Sequence, residues 1–284
     1  MPGTLRSRKD SPVMVEAAAK PPLRVVASLS GAVEVKDLNH TYSAAGRVTQ
    51  ALADIRIAIK PGLFVVIVGP SGCGKSSLLM MMTGLVTPTS GTILCGGKPV
   101  SEPDPDRVGV VFQEASLYPW LTAQDNVEFP LSLRGVAKSE RAARAREKLA
   151  LVGLKGFEDR YPHELSGGMK QRVSIARGLV QNPPILMLDE PFAALDEQTR
   201  ISMGDELLRI WEETGKTVVF VTHSLTEAAY LADEIIVMSA RPGRIIDRIE
   251  VDLPRPRTYA MMATSRFAEL RERIWSQIKT QASE

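Results

Sequence analysis

Cysteine is scarce: Cys73 and Cys95 are the two among 284 residues, and they lack metal-ligand spacing. That excludes a disulfide-stapled secreted domain and a zinc ribbon, and it suits a reducing compartment. Aromatic residues make up 5% of the chain and histidines number three. No apolar run approaches the roughly 20 residues that cross a bilayer; residues 63–68 and 78–86 are cut short by Gly, Pro or Thr. Arg6, Arg8 and Lys9 stand near the start, but Glu16 and Lys20 interrupt any apolar stretch after them, so no export signal is expected. A surplus of one charge is also missing, with 35 basic against 33 acidic residues and a net charge of +2. A dedicated nucleic-acid binder needs excess Lys and Arg against phosphates, so that class is excluded. There is no internal repeat and no sustained heptad region. The expected location is the cytoplasm, with membrane attachment only through a partner.

With 44% hydrophobic and 24% charged residues, the composition is that of a soluble globular chain long enough for one large domain or two small ones. Residues 1–30 mix basic residues with Pro and Ala without periodicity and read as a flexible tail. Ile55, Ile57 and Ile59 alternate with Arg56, Ala58 and Lys60, the period of a half-exposed antiparallel strand. Residues 63–68, 108–112, 185–188, 218–221 and 235–238 are continuous apolar runs, which fit strands buried on both faces of a parallel sheet. Helical stretches at 75–83, at 139–152 and after Gly168 lie between them. Alternating strands and helices imply a doubly wound α/β core. Residues 114–166 carry helical patterning without a strong strand and read as an inserted helical subdomain. The expected division is a tail at 1–30, a core domain at 31–252 and a C-terminal extension at 253–284, set off by Pro254 and Pro256. In that extension Phe267, Leu270, Ile274, Trp275 and Ile278 trace an apolar stripe at helical spacing, read first as packing on its own domain and second as a docking face.

The sharpest local signal runs from Gly69 through Pro70, Ser71, Gly72, Cys73, Gly74 and Lys75 to Ser76, a full G-x-x-x-x-G-K-[ST] match between a buried strand and a helix. Such a loop presents a ring of backbone N–H groups at a helix N-terminus, where the dipole favours a phosphate. Lys75 is placed on the β- and γ-phosphates of a nucleotide, and Ser76 on Mg²⁺. Downstream, the run 185–188 ends in Asp189 and Glu190, two carboxylates at the tip of a parallel strand, where ligands of open sheets bind. Asp189 suits the metal shell, and Glu190 suits polarising an attacking water. Cys73, inside the loop, offers a thiol whose blocking is expected to interfere with nucleotide binding.

Between these motifs lies Leu165-Ser166-Gly167-Gly168-Met169, followed by Lys170-Gln171-Arg172. This resembles the signature sequence of ATP-binding-cassette ATPases. In order along the chain, Tyr42 resembles the family's adenine-stacking aromatic, Gln113 its lid glutamine, Ala193-Ala194-Leu195-Asp196 its dimer-crossing segment, and His223 its switch histidine. The resemblance covers residues 32–251. It implies a P-loop NTPase core with a mostly parallel sheet, an N-terminal antiparallel β subdomain and the inserted helical subdomain. The implied cofactors are ATP and Mg²⁺, with Ser76, Gln113 and Asp189 on the metal and Glu190, His223 and Gln113 in catalysis. Nucleotide contacts would come from Tyr42, the loop from Gly69 to Ser77 and, from a head-to-tail partner copy, Ser166, Gly167, Gly168 and Asp196. Met169 replaces the Gln of many cassettes, and Ala193 replaces a Ser. His40 and His163 are read as structural.

The stretches 117–122 (Leu-Tyr-Pro-Trp-Leu-Thr) and 238–245 (Met-Ser-Ala-Arg-Pro-Gly-Arg-Ile) resemble the branch of importer ATPases for nitrate, sulfonates, taurine and related solutes. The implied partners are a second copy of the chain, transmembrane permease subunits and, indirectly, a periplasmic or extracellular solute-binding protein. Tyr118, Pro119 and Trp120 are either core or a contact for a membrane subunit. Alternatives are a soluble cassette ATPase of repair, chromosome architecture or translation, and an exporter ATPase. The first lacks its coiled-coil insertion or second cassette here, and the second is disfavoured only by the 239–245 segment.

Overall fold

The computed structural model describes residues 29–44 and 47–282; the tail read at 1–30 lies almost wholly outside the described residues. Strands β1 (Val33–Ala44) and β2 (Arg47–Ile59) open the chain, followed by β3 (Phe64–Val68), helix α1 (Lys75–Met82), β4 (Ser90–Cys95), the short β5 (Lys98–Pro99) and β6 (Val108–Val111). Helices α2 (Ala123–Leu133), α3 (Lys138–Leu151) and α4 (Gly167–Leu179) come next. The remainder alternates: β7 (Ile185–Asp189), α5 (Glu197–Thr214), β8 (Thr217–Val221), α6 (Leu225–Leu231), β9 (Glu234–Met238), β10 (Ile245–Glu250) and α7 (Ser265–Ala282). Two sheets result: a four-stranded one ordered β2-β1-β4-β5 and a six-stranded one ordered β10-β9-β3-β8-β7-β6. The first is antiparallel throughout; in the second only β10 runs against its neighbour.

The apolar runs are continuous because both faces of the large sheet are covered. Alternate residues Phe64, Val66 and Val68 of β3 enter one core with the helices α2 to α7, while Val65 and Ile67 enter another with α1 and the antiparallel sheet. β8 divides likewise, with Val218 and Phe220 on one side and Val219 and Val221 on the other. The alternating Ile55, Ile57 and Ile59 turn their buried face to the second core. The main chain from β3 therefore emerges between two packed layers, and its next residues form the phosphate loop at the C-terminal edge of the sheet.

No strand lies between β6 and β7, and α2 and α3 pack against each other and against α4. The loop from β6 to α2 is tied down from the helical side. Gln171 Nε2 donates to Phe112 O (3.2 Å), Arg177 donates to Ala115 O and Ser116 O (2.7 and 2.9 Å), and Asn126 Nδ2 donates to Tyr118 O, Leu121 O and Thr122 O. At the C-terminus, Phe267, Leu270 and Ile274 are buried in the first core and Ile278 packs at its edge. Trp275 leaves the expected stripe: it follows Ile274 by one residue, about 100° around the helix, and stands 48% exposed. Upstream of that helix, Arg255 lies over the Trp211 ring at 4.2 Å and pairs with Asp233, fastening the chain before α7. The separate-looking extension is thus packed on α6 and β9.

Candidate active site

A cleft of about 560 Å³ opens at the C-terminal edge of the large sheet, lined by Tyr42, Thr49, Ala51, Ser71, Gly72, Gly74, Lys75, Ser76, Ser77, Glu190, His223 and Arg241. Its floor is the loop after β3. Gly72 and Gly74 have φ of +74° and +102°, and a Cβ on Gly74 would fall 2.7 Å from Leu52 Cδ2, so glycine is required there by backbone shape and by space. Lys75 is buried, its Nζ donating to Gly69 O (3.0 Å) and Pro70 O (3.1 Å), so the ammonium is held inside the loop's own arc.

Ser76 Oγ donates to Asp189 Oδ1 at 2.9 Å. Asp189 closes β7 and is buried, and burial raises its pKa against the pull of Ser76 and Lys75. One position on, Glu190 has left the strand with φ +43°, a left-handed backbone held by its N–H to Val221 O (2.9 Å). Its Oε2 lies 2.8 Å from His223 Nδ1. His223 follows β8, and the residues beside it are locked: Thr222 Oγ1 donates to Glu227 Oε2 (2.5 Å) and Ser224 caps α6 through Glu227 N. Tyr42 presents a 43% exposed ring at the rim, its hydroxyl donating to Ser77 Oγ (3.0 Å) and its edge against buried His40 at 4.4 Å.

Ser166 and Gly168 line a different cleft, of about 410 Å³, with Gly153, Leu154, Phe157, Met169, Arg172, Gln198, Thr199, Ser202 and Met203. Ser166 caps α4 by accepting from Met169 N (3.3 Å), and Asp196 caps α5 by accepting from Thr199 N (2.9 Å) and Thr199 Oγ1 (2.6 Å). The Thr199 hydroxyl and N–H hold the Asp196 carboxyl below its usual range. Within one chain, then, Asp196 is a helix cap and the Ser166–Gly168 turn lies outside the Lys75 cleft. The N-termini of α4 and α5 both edge this second cleft, and their dipoles make it receptive to an anion.

Two expected residues are placed differently by the structure. Gln113 is exposed and is not among the residues lining the cleft, although it follows β6, which pairs with the Asp189-bearing strand β7 with Val111 opposite Leu188. Cys73 contributes no side chain to the cleft: its thiol is 1% exposed in the core beneath the loop, and burial pushes its pKa up. Thiol reagents are therefore expected to spare Cys73 in the folded protein and to label it only after denaturation; mass-spectrometric detection of rapid native labelling would refute this placement. Thr49 and Ala51 line the cleft although no local pattern singled them out, and Arg241 lines it from within the 238–245 stretch, to which no role in the site had been given.

A family model described as ABC transporter matches residues 52–193. An ABC transporter ATP-binding protein of Methanocaldococcus jannaschii is 47% identical over 247 residues, 87% of this chain and 91% of the relative. The chain belongs to the ABC transporter family of ATP-binding proteins. This ABC ATPase is also 47% identical over 234 residues to the taurine import ATP-binding protein TauB of Rhizobium johnstonii (81% of this chain, 89% of the relative). It is 43% identical over 258 residues to the nitrate import ATP-binding protein NrtD of Synechocystis sp. (89% and 97%). Among solved structures, a dimeric ATP-binding cassette in a post-hydrolysis state bound to ADP and Pi superposes with a TM-score of 0.69 at 36% identity, covering 78% of this chain and 99% of that one.

Proposed function

We propose that the chain hydrolyses ATP as the cassette subunit of an importer for a small solute of the nitrate, sulfonate or taurine kind, working as a head-to-tail dimer on the cytoplasmic face of the membrane. The observation that carries this reading is the meeting, in one cleft, of the Lys75–Ser76 loop and the Glu190–His223 pair, with Asp189 bonded directly behind Ser76. The names of the taurine and nitrate import relatives support the solute class.

The site suits its nucleotide and its metal. The loop's path depends on glycine at 72 and 74, where positive φ and close neighbours leave no room for a Cβ, and buried Asp189 is met by a hydroxyl that is itself a hard oxygen ligand. Ser76 and Asp189 would hold Mg²⁺, which when bound neutralises phosphate charge. Gln113 would join them only on a movement of the helical subdomain to which its loop is tied. Tyr42 offers its exposed ring face to the adenine, and Lys75 its ammonium to the terminal phosphates. Glu190 holds Oε2 toward His223 and leaves Oε1 free to take a proton from the attacking water. Ser166, Gly167 and Gly168 of a second copy would close over the γ-phosphate with the dipole of α4, and Asp196 would face the dimer seam. Closure then depends on the γ-phosphate and reopening on its loss. Exposed Trp120, its ring tilted against Tyr118, which itself rests on Phe129, forms a surface for a permease subunit; a solute-binding protein would act only through that permease.

The test is affinity purification of tagged Glu190→Gln protein from detergent-solubilised native membranes with ATP and Mg²⁺. A polytopic membrane subunit identified by mass spectrometry is the expected companion. Recovery with ribosomes or nucleic acid, and no membrane subunit, would sink the importer reading.

A further inference from the structure

Arg241 is the cleft residue contributed by the turn between β9 and β10, and it is held there by an unusual amount of structure. Ser239 N donates to Arg244 O (2.9 Å), and Ser239 Oγ accepts from Arg244 N (2.9 Å) while lying 3.0 Å from Ala240 O and Pro242 O. Gly243 N donates to Ala51 O (2.9 Å) and Ala53 N to Gly243 O (3.0 Å), stitching the turn to β2. The turn also abuts the phosphate loop: a Cβ on Gly243 would fall 2.2 Å from Cys73 O, and a Cβ on Gly69 would fall 2.9 Å from Met238 O. From this base Arg241 Nε donates to Gly72 O at 2.8 Å, and a Cβ on Gly72 would fall 2.8 Å from its Nη2.

A guanidinium keeps its charge at any relevant pH and carries five donors. Here Nε is used on a loop carbonyl, and among the described residues no carboxylate pairs with the remaining fork. A fixed, unpaired cation beside Ser71 and Gly72 is matched to an anion entering the loop. We propose that Arg241 is a nucleotide-binding residue: with Lys75 it forms a second positive pole for the polyphosphate, while its Nε holds the Gly72 peptide in the loop's shape. This rests on the reading of the cleft as the ATP site. Because the side chain is exposed, its attraction is screened by salt and grows with the charge of the ligand.

The test titrates the full chain with fluorescent-labelled ATP, ADP and AMP at about 0.05 M and about 0.5 M salt. Arg241→Gln keeps a donor for Gly72 O and removes the charge; Arg241→Lys keeps the charge and loses the fork. The glutamine variant is expected to bind ATP roughly fivefold to twentyfold more weakly at low salt, the scale of one charge-assisted contact in a part-exposed site. The deficit should be smaller for AMP and should narrow at high salt, and the lysine variant should recover most of it. Wild-type affinity in Arg241→Gln would overturn the proposal, as would an equal loss for ATP and AMP at both salt concentrations, which marks a loop-shaping role alone. If the unaltered chain binds ATP no better than AMP, the cleft itself has been misread, an outcome separate from either variant's behaviour.

Discussion

Glu190→Gln is expected to leave ATP binding intact and to lower phosphate release by about 10²- to 10⁴-fold, the range that a positioned general base supplies. The substitution preserves volume, and the backbone that aims the side chain is fixed independently of it, by Glu190 N donating to Val221 O across the sheet edge. An amide oxygen can still face His223 Nδ1, so the local geometry survives while the proton acceptor is lost. Removing a negative charge from a cleft that must take a polyphosphate also lessens repulsion, so ATP affinity should hold or rise. With hydrolysis stopped and binding kept, a dimer closed around ATP should accumulate and be visible by size-exclusion chromatography with ATP and Mg²⁺. A variant that releases phosphate at the unaltered rate would remove Glu190 from the chemistry and shift attention to His223, 2.8 Å away.

How much of this was legible in sequence depended on whether the determinant was local. The phosphate loop announces itself because glycines forced by backbone shape, a lysine and a serine sit within eight consecutive positions, and Asp189–Glu190 follows directly from a strand's end. The buried parallel strands read correctly because burial on both faces writes itself as an unbroken apolar run. β4 and β10 escaped notice because each has an exposed face and a polar sequence, Ser-Gly-Thr in one and Asp-Arg in the other. The ties that set the site are less readable still. Arg241 meets Gly72 across 169 positions, and Arg177 and Gln171 reach loop carbonyls about sixty positions away. A side chain bonded to a distant backbone carbonyl leaves no periodicity behind. Gln113 shows a related limit: its segment reads as a strand end, but the edge position of β6 is a property of sheet order, which a single strand does not reveal.

That same dependence on tertiary placement sharpens the expectation for Lys75→Ala. Lys75 is buried and its ammonium bonds two carbonyls of its own loop, Gly69 O and Pro70 O. Truncation removes a buried cation together with those two contacts, so the terms affecting the fold oppose each other and the thermal midpoint should move little. Nucleotide binding would have no such compensation. The ammonium is the cation most enclosed by the loop, and bonds from it to phosphate oxygens would be charge-assisted on both sides, together about 3 kcal/mol, or on the order of 10²-fold in affinity. The loss should exceed that of Arg241→Gln, because Lys75 is shielded from water and salt where Arg241 is not. It should also persist at high ionic strength. A titration with a fluorescent ATP analogue decides the matter: affinity within a factor of about two of the unaltered chain would mean that the loop amides alone hold the phosphates and that the buried lysine serves the fold.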